Sequence, residues 1–254
     1  MTAGGITTGT VSIVIPAYNE AGRLVRTLPC ILDHVVSLPH VVRVLVVDDG
    51  SSDGTEEVVR ALMPDHPQLD VIAMARQQGK GAAVRAGVLA SSSDVIGFMD
   101  ADLSTSLRHI GEAVAAMDGG VDVVIGSRAL TDSQTLAFQP RYRRIGARIF
   151  REITWIFGEL PDTPDAQCGF KFFRGSVAHD LFESTVVDRW MFDIEVLRLA
   201  LHRGYRIVQL PVEWTNDPES RLRLTMDTLR MVRDIARIRW RFRTGRYGAA
   251  RKSR

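Results

Sequence analysis

Two acidic clusters carry residue types and spacing that could do chemistry. Asp100-Ala101-Asp102 follows the apolar run 95–99, so two carboxylates with one small residue between them project from what reads as a strand end. That arrangement suits a hard divalent cation, Mg2+ or Mn2+, which accepts carboxylate oxygens and keeps positions open for a diphosphate. The same residues also suit a helix start, because Asp102 or Ser104 ahead of Leu107 could accept from free amides of the first turn. Asp48-Asp49-Gly50-Ser51-Ser52-Asp53-Gly54 makes a second case. A carboxylate there could accept from a base N–H or a ribose hydroxyl, while the glycines and Asp53 equally describe a structural turn that caps a helix near Thr55. In the loop Pro16-Ala17-Tyr18-Asn19-Glu20, Tyr18 could flank a base and Glu20 accept a hydrogen bond. Gly79-Lys80-Gly81 opens a helix without the spacing of a Walker loop, which leaves Lys80 as a cation for a phosphate or a carboxylate.

These loops need a scaffold, and the pattern supplies one. Short apolar runs at 11–15, 41–47, 71–75, 95–99 and 121–125 read as buried strands. Helical spacing occupies 20–36, 55–63, 80–90 and 107–117, the third of these rich in small residues. Strand and helix alternate, so a mainly parallel, doubly wound α/β sheet is expected, with its functional loops at the strand C-termini. The second half is less regular: helical spacing at 143–157, a loop at 162–169, a strand at 171–174, a helix at 192–202, a strand at 207–212 and a long helix at 221–243.

The 254 residues suffice for one large domain with a real core. The 45% hydrophobic and 24% charged content excludes a disordered or fibrous chain. A net charge of +2 predicts no global attraction to nucleic acid, yet twelve of the 32 Lys and Arg, and only two of the 30 acids, follow residue 220. Cys30 and Cys168 are far apart and lack metal-type spacing, so neither a disulfide framework nor a zinc site is expected. Neither a signal peptide nor a membrane span is expected.

In this order, Pro16-Ala17-Tyr18-Asn19-Glu20, Asp48-Asp49-Gly50-Ser51-Ser52-Asp53-Gly54-Thr55, Gly79-Lys80-Gly81 and Asp100-Ala101-Asp102-Leu103-Ser104 closely resemble the motifs of family 2 glycosyltransferases with the GT-A fold. Downstream, Gly126-Ser127-Arg128, the run from Asp165 to Lys171, the run from Arg189 to Glu195 and Val212-Glu213-Trp214 look like the dolichyl-phosphate β-glucosyltransferase branch, kin to dolichol-phosphate mannose synthases. The resemblance spans about residues 11–245. It implies a GT-A, Rossmann-like sheet with helices on both faces and an inverting transfer of a hexose. The implied donor is UDP-glucose, with GDP-mannose as the alternative, and the implied acceptor is a polyprenyl or dolichyl phosphate. Pro16, Ala17, Tyr18, Glu20, Val47 and Asp49 then fall in the nucleoside pocket, with Lys80 also on the nucleotide sugar. Asp100, Ala101 and Asp102 form the nucleotide and metal motif, with Ser104 at the position of an additional ligand. Arg128 meets the phosphates, Arg221 stands where mannose synthases carry Lys, and Arg143 or Arg144 is placed on the acceptor phosphate. Asp165 and Glu195 have counterparts in both branches and are read, with Asp102 and Arg128, as catalytic. A noncatalytic nucleotide-sugar or anionic-lipid binder is the alternative from another class.

From Arg221 to Tyr247, apolar residues interleave with Arg at roughly helical intervals. This suits an interfacial helix on anionic lipid or a helix packed on the body with its Arg exposed. The expected organisation is a flexible 1–10, a catalytic domain 11–220 and a basic helix and tail 221–254, in a cytoplasmic protein held peripherally at a membrane.

Overall fold

The computed structural model describes residues 9–130, 133–135, 160, 163, 165–215 and 226–248. The expected helix at 143–157, Arg143, Arg144 and Arg221 lie outside them. The elements run β1 (Thr10–Ala17), α1 (Ala21–Val36), β2 (Val41–Asp48), α2 (Thr55–Leu62) with a 3-10 turn (Met63–Asp65), β3 (Leu69–Ala73), α3 (Lys80–Ala90), β4 (Val95–Met99), α4 (His109–Asp118) and β5 (Val123–Ser127). There follow β6 (Gln134–Thr135), β7 (Phe170–Arg174), α5 (Gly175–Phe182), α6 (Phe192–His202), β8 (Ile207–Pro211), β9 (Glu213–Trp214) and α7 (Met226–Arg243).

Seven strands form one sheet in the order β3-β2-β1-β4-β7-β5-β8. All neighbours are parallel except at β7, which runs antiparallel to both β4 and β5. A parallel strand needs a crossover, so the first four strands carry helices between them, while β7 enters the sheet from the site edge. The inner strands β1, β4, β7 and β5, and the second half of β2, are buried on both faces, which is why they read as apolar runs, while the edge strands β3 and β8 are only partly buried. One core layer joins Val14, Phe98, Phe173 and Phe192 to α3, α5, α6 and α7; the other joins Ile13, Val46 and Phe172 to α1 and α4. The small residues of α3 allow the close approach their sequence implies. A Cβ on Gly87 would lie 2.4 Å from Val14 Cγ1, so even alanine there requires the sheet to yield.

Two strand starts and one helix are among the departures from the sequence pattern. β3 begins at Leu69 because Leu69 pairs with Val44 at the sheet edge, and β5 begins at Val123. Gly175–Phe182 is a helix that the sequence does not announce: it follows β7 directly and has no side-chain cap.

Candidate active site

The site edge is formed where β1, β2, β4 and β5 end and β7 begins. Its first wall is two loops sewn together by side chains. Asn19 takes a positive φ of 53°. Its amide donates to Ser51 Oγ (2.8 Å), and its side-chain oxygen accepts from the Ser52 amide (2.9 Å). Asp53 serves two helix starts: Oδ2 accepts from the Ala21 amide (3.0 Å) and Oδ1 from the amide and hydroxyl of Thr55 (3.1 and 2.5 Å). Pro16 and Tyr18 are half-buried on this wall, Ala17 and Val47 are buried beneath it, and Glu20 pairs with Arg23.

Asp49, expected in the nucleoside pocket, is tied to the main chain in the structure. It is buried, and its two oxygens accept the main-chain amides of Gln78 and Gly79, each at 2.7 Å. Burial pushes its carboxyl above the usual range against the pull of those amides. Its role in the structure is to place Gly79 and therefore Lys80. Gly79 has φ of 122°, and a Cβ on it would lie 2.5 Å from the Asp188 carbonyl oxygen, so the turn into α3 needs glycine.

Lys80 reaches the acidic pair from that turn. Its Nζ lies 2.5 Å from Asp100 Oδ1 and 5.5 Å from the centre of the Trp190 ring. Burial opposes the ammonium, but Asp100 and Asp193 outweigh it and raise its pKa. Asp102 accepts from the Ser104 amide (2.8 Å) and from its side chain. Ser104 thus braces the carboxylate. Burial, then the charge of Asp100, pushes the Asp102 carboxyl upward. Asp100 also anchors the 165–169 segment: its amide donates to the Gly169 carbonyl (3.1 Å), and a Cβ on Gly169 would lie 2.0 Å from Asp100 Oδ2.

Arg128, just past β5, is held as a fork. Nε and Nη2 donate to Asp165 Oδ2 and Oδ1 (2.8 and 2.7 Å), and the Arg128 amide donates to the same carboxylate (2.7 Å). Asp165 is 4% exposed and Arg128 35%, so the acid is hidden and the cation faces outward. Burial works against both charges. Their pairing nevertheless raises the guanidinium pKa and holds the carboxyl below its usual range. The Arg128 guanidinium carbon sits 5.2 Å from the centre of the Trp214 ring, and a bridge from Trp214 to Thr105 ties this wall to the acidic loop. Asp165, read from sequence as catalytic, is here the clamp that orients Arg128.

Glu195, read from sequence as catalytic, is enclosed by the protein. It is fully buried in α6 and accepts from the amides of Val186 (3.0 and 3.1 Å) and Val187 (2.8 Å) and from the Tyr247 hydroxyl. A carboxylate so enclosed anchors the 185–190 segment, whose Asp188 carbonyl in turn accepts from the Ala82 amide (3.0 Å). Burial pushes its carboxyl up. It supports the wall behind Lys80 and does not face the site.

Sequence reasoning passed over Lys171, whose partner is Asp193. Lys171 is fully buried, with Nζ 2.6 Å from both the Cys168 carbonyl and Asp193 Oδ1. A lysine inside the aromatic run Phe170-Lys171-Phe172-Phe173 was the available signal, because such a residue is buried only when paired. Asp193 in turn acts on Lys80 at a distance. Cys168 is buried and its thiol is pushed up to about 11 by burial and by Asp165, which makes it a packing residue.

Among the described residues no group of three or more His, Cys, Asp and Glu forms a metal cage. Asp100 and Asp102 fit an ion that takes few protein ligands: two carboxylates at one strand end, Asp102 pushed up by burial and then by Asp100, are only partly answered by Lys80. The tail helix is packed on the body, with Met231, Ile235 and Ile238 buried in the core. The stripe of Met231, Ile235 and Ile238 is therefore covered by the body, while Val232 and Trp240 of the same helix stay exposed.

Residues 12–182 match the family model for glycosyl transferase family 2. The dolichyl-phosphate beta-glucosyltransferase of Dictyostelium discoideum is 31% identical over 92% of this chain and 75% of its own length. The human protein of that name is 30% identical over 92% and 76%. Among solved structures, glucosyl-3-phosphoglycerate synthase from Mycobacterium tuberculosis in complex with Mn2+, uridine-diphosphate and phosphoglyceric acid superposes with a TM-score of 0.65 at 19% identity, over 95% of this chain and 79% of that one. With the sheet that carries Asp100, Asp102 and Arg128 on one edge, these matches place the chain in glycosyl transferase family 2.

Proposed function

We propose that this enzyme transfers glucose from UDP-glucose to a dolichyl or other polyprenyl phosphate, with inversion, at the cytoplasmic face of a membrane. The observation that carries the reading is the pairing of an acidic strand end, Asp100 and Asp102 with Lys80, and a clamped, outward-facing Arg128 on the same edge. Curated relatives named for dolichyl-phosphate glucosylation, aligned over most of the chain, support the acceptor class.

An acceptor phosphate oxygen attacks the sugar C1 as the bond from C1 to the diphosphate oxygen breaks, and the electron pair leaves with UDP. The barrier lies in the charge gathering on that leaving group. Arg128, fixed by Asp165, and Lys80, fixed by the turn that Asp49 holds, supply cationic charge without moving. Asp100 and Asp102 would hold a divalent cation, which when bound adds charge neutralisation at the diphosphate. The acceptor is ionised near neutral pH, so no strong general base is needed. Among the described residues no helix is long and apolar enough to cross a membrane, and the proposal places the chain peripherally.

Purified protein incubated with UDP-glucose, GDP-mannose and other nucleotide sugars beside a polyprenyl phosphate tests this. Mass spectrometry should find hexosyl-phosphoprenol from UDP-glucose. Product from GDP-mannose alone would replace the donor, and nucleotide-sugar binding without any product would make the chain a binding protein.

A further inference from the structure

We infer that the outward face of α7 docks on an anionic lipid surface. The inner stripe of the helix is covered by the body, and the acid Asp234 is buried with it. On the opposite side Val232 and Trp240 are 51% and 49% exposed, flanked by exposed Arg233, Arg237, Arg243 and Arg246. The spacing from 233 through 237 and 240 to 243 keeps these residues on one face of a 3.6-residue helix. Arg246 lies over Trp240, its guanidinium carbon 4.3 Å from the ring centre. Among the described side chains of 230–248 no acid shares this face.

Charge complementarity selects the occupant. Four cations around an exposed tryptophan and a valine match phosphate headgroups over a shallow apolar layer. A nucleic-acid duplex would use the arginines but, with its bases paired and stacked on one another, leave both apolar side chains without a partner. The face continues into an open groove of about 460 Å³ between α6 and α7, lined by Arg198, Leu201, His202, Phe242 and Arg243. Cations beside an exposed leucine and a phenylalanine there suit a headgroup with the first part of its chain. The contact is superficial, because the helix keeps its core packing, and so differs from insertion of the apolar stripe.

This inference deepens the membrane-face reading above and rests on it only for its biological setting. The test is co-sedimentation of the full chain with phosphatidylcholine vesicles with and without phosphatidylglycerol, over a range of salt. The parent should pellet with the anionic vesicles alone and be released by salt. The variant R237Q/R243Q should partition roughly 25-fold more weakly if each arginine near the surface contributes as basic residues commonly do. W240A should also weaken binding, with unchanged thermal unfolding in both variants showing an intact fold. Equal binding by parent and variants, equal binding to neutral vesicles, or equally tight binding of a duplex oligonucleotide would each overturn the inference. Transfer to a short, water-soluble polyprenyl phosphate separates the two readings. Activity there without vesicle binding sinks only the docking face, and vesicle binding without activity sinks only the proposed reaction.

Discussion

Replacing Asp165 with Asn keeps its shape and removes the charge that clamps Arg128. In the parent, three donors of Arg128 converge on the two carboxylate oxygens at 2.7–2.8 Å. Asparagine offers one oxygen, and its amide group meets the guanidinium as donor against donor. At such distances the gross attraction is about 6 kcal/mol at a protein-surface dielectric. Arg128 is a third exposed, however, so water replaces much of it, and the net stability loss should be about 1–2 kcal/mol. The rate should suffer more. A cation that no longer points at the leaving diphosphate forfeits roughly 2.7–4 kcal/mol of barrier lowering, a 10²- to 10³-fold fall in kcat/KM. Arg128→Ala should lose about as much, and the double variant little more, because the two residues act as one unit. Transfer rates and melting temperatures of the four proteins form the cycle. Rate losses that multiply, or an Asp165→Asn enzyme with parental kcat/KM and only a lower melting temperature, would refute the clamp.

Because Arg128 holds the Asp165 carboxyl below its usual range, its contribution to stability should be complete at neutral pH and fade only as pH falls below about 4; the gap in melting temperature between parent and Asp165→Asn should close there. Gly169→Ala puts a carbon where Asp100 Oδ2 lies, and activity titrated with Mn2+ should show the ion bound about tenfold or more weakly. Chelation should silence the parent, and Asp102→Asn should lower turnover on the order of 100-fold at an unchanged melting temperature. Tyr247→Phe removes a donor from the buried Glu195 and should cost about 1.5–3 kcal/mol by urea unfolding.

The strand ends were legible because each buried apolar run closes within a few residues in an acid or a glycine. Periodicity finds the run, and turn chemistry finds the loop. The partners of the acids were not legible. Asp49 and Asp165 meet amides or a guanidinium 30 and 37 residues away, and Glu195 meets the Tyr247 hydroxyl 52 residues away, so an acid that binds ligand and one that holds a loop look alike in sequence. The tail poses the same problem in apolar form. Met231, Ile235 and Ile238 have the spacing that either a core or a membrane would select, and only the packing distinguishes them. Lys171 was the reverse case, a charge in a buried run whose partner, Asp193, lies 22 residues on.

The placement of β7 bears on how the enzyme is made. Its residues, 170–174, sit between β4 and β5, so a nascent chain that has emerged only as far as Ser127 cannot join those two strands as they will finally stand. The outer edge of β4 stays open until Arg174 leaves the ribosome, and Gly169, which seats Asp100, arrives with the same segment. Synthesis therefore passes through a half-sheet with an unpaired edge and an unseated acid, a state prone to pairing with other chains. Fragments ending before β7 should accumulate in aggregates or on chaperones, since they cannot deliver the missing strand.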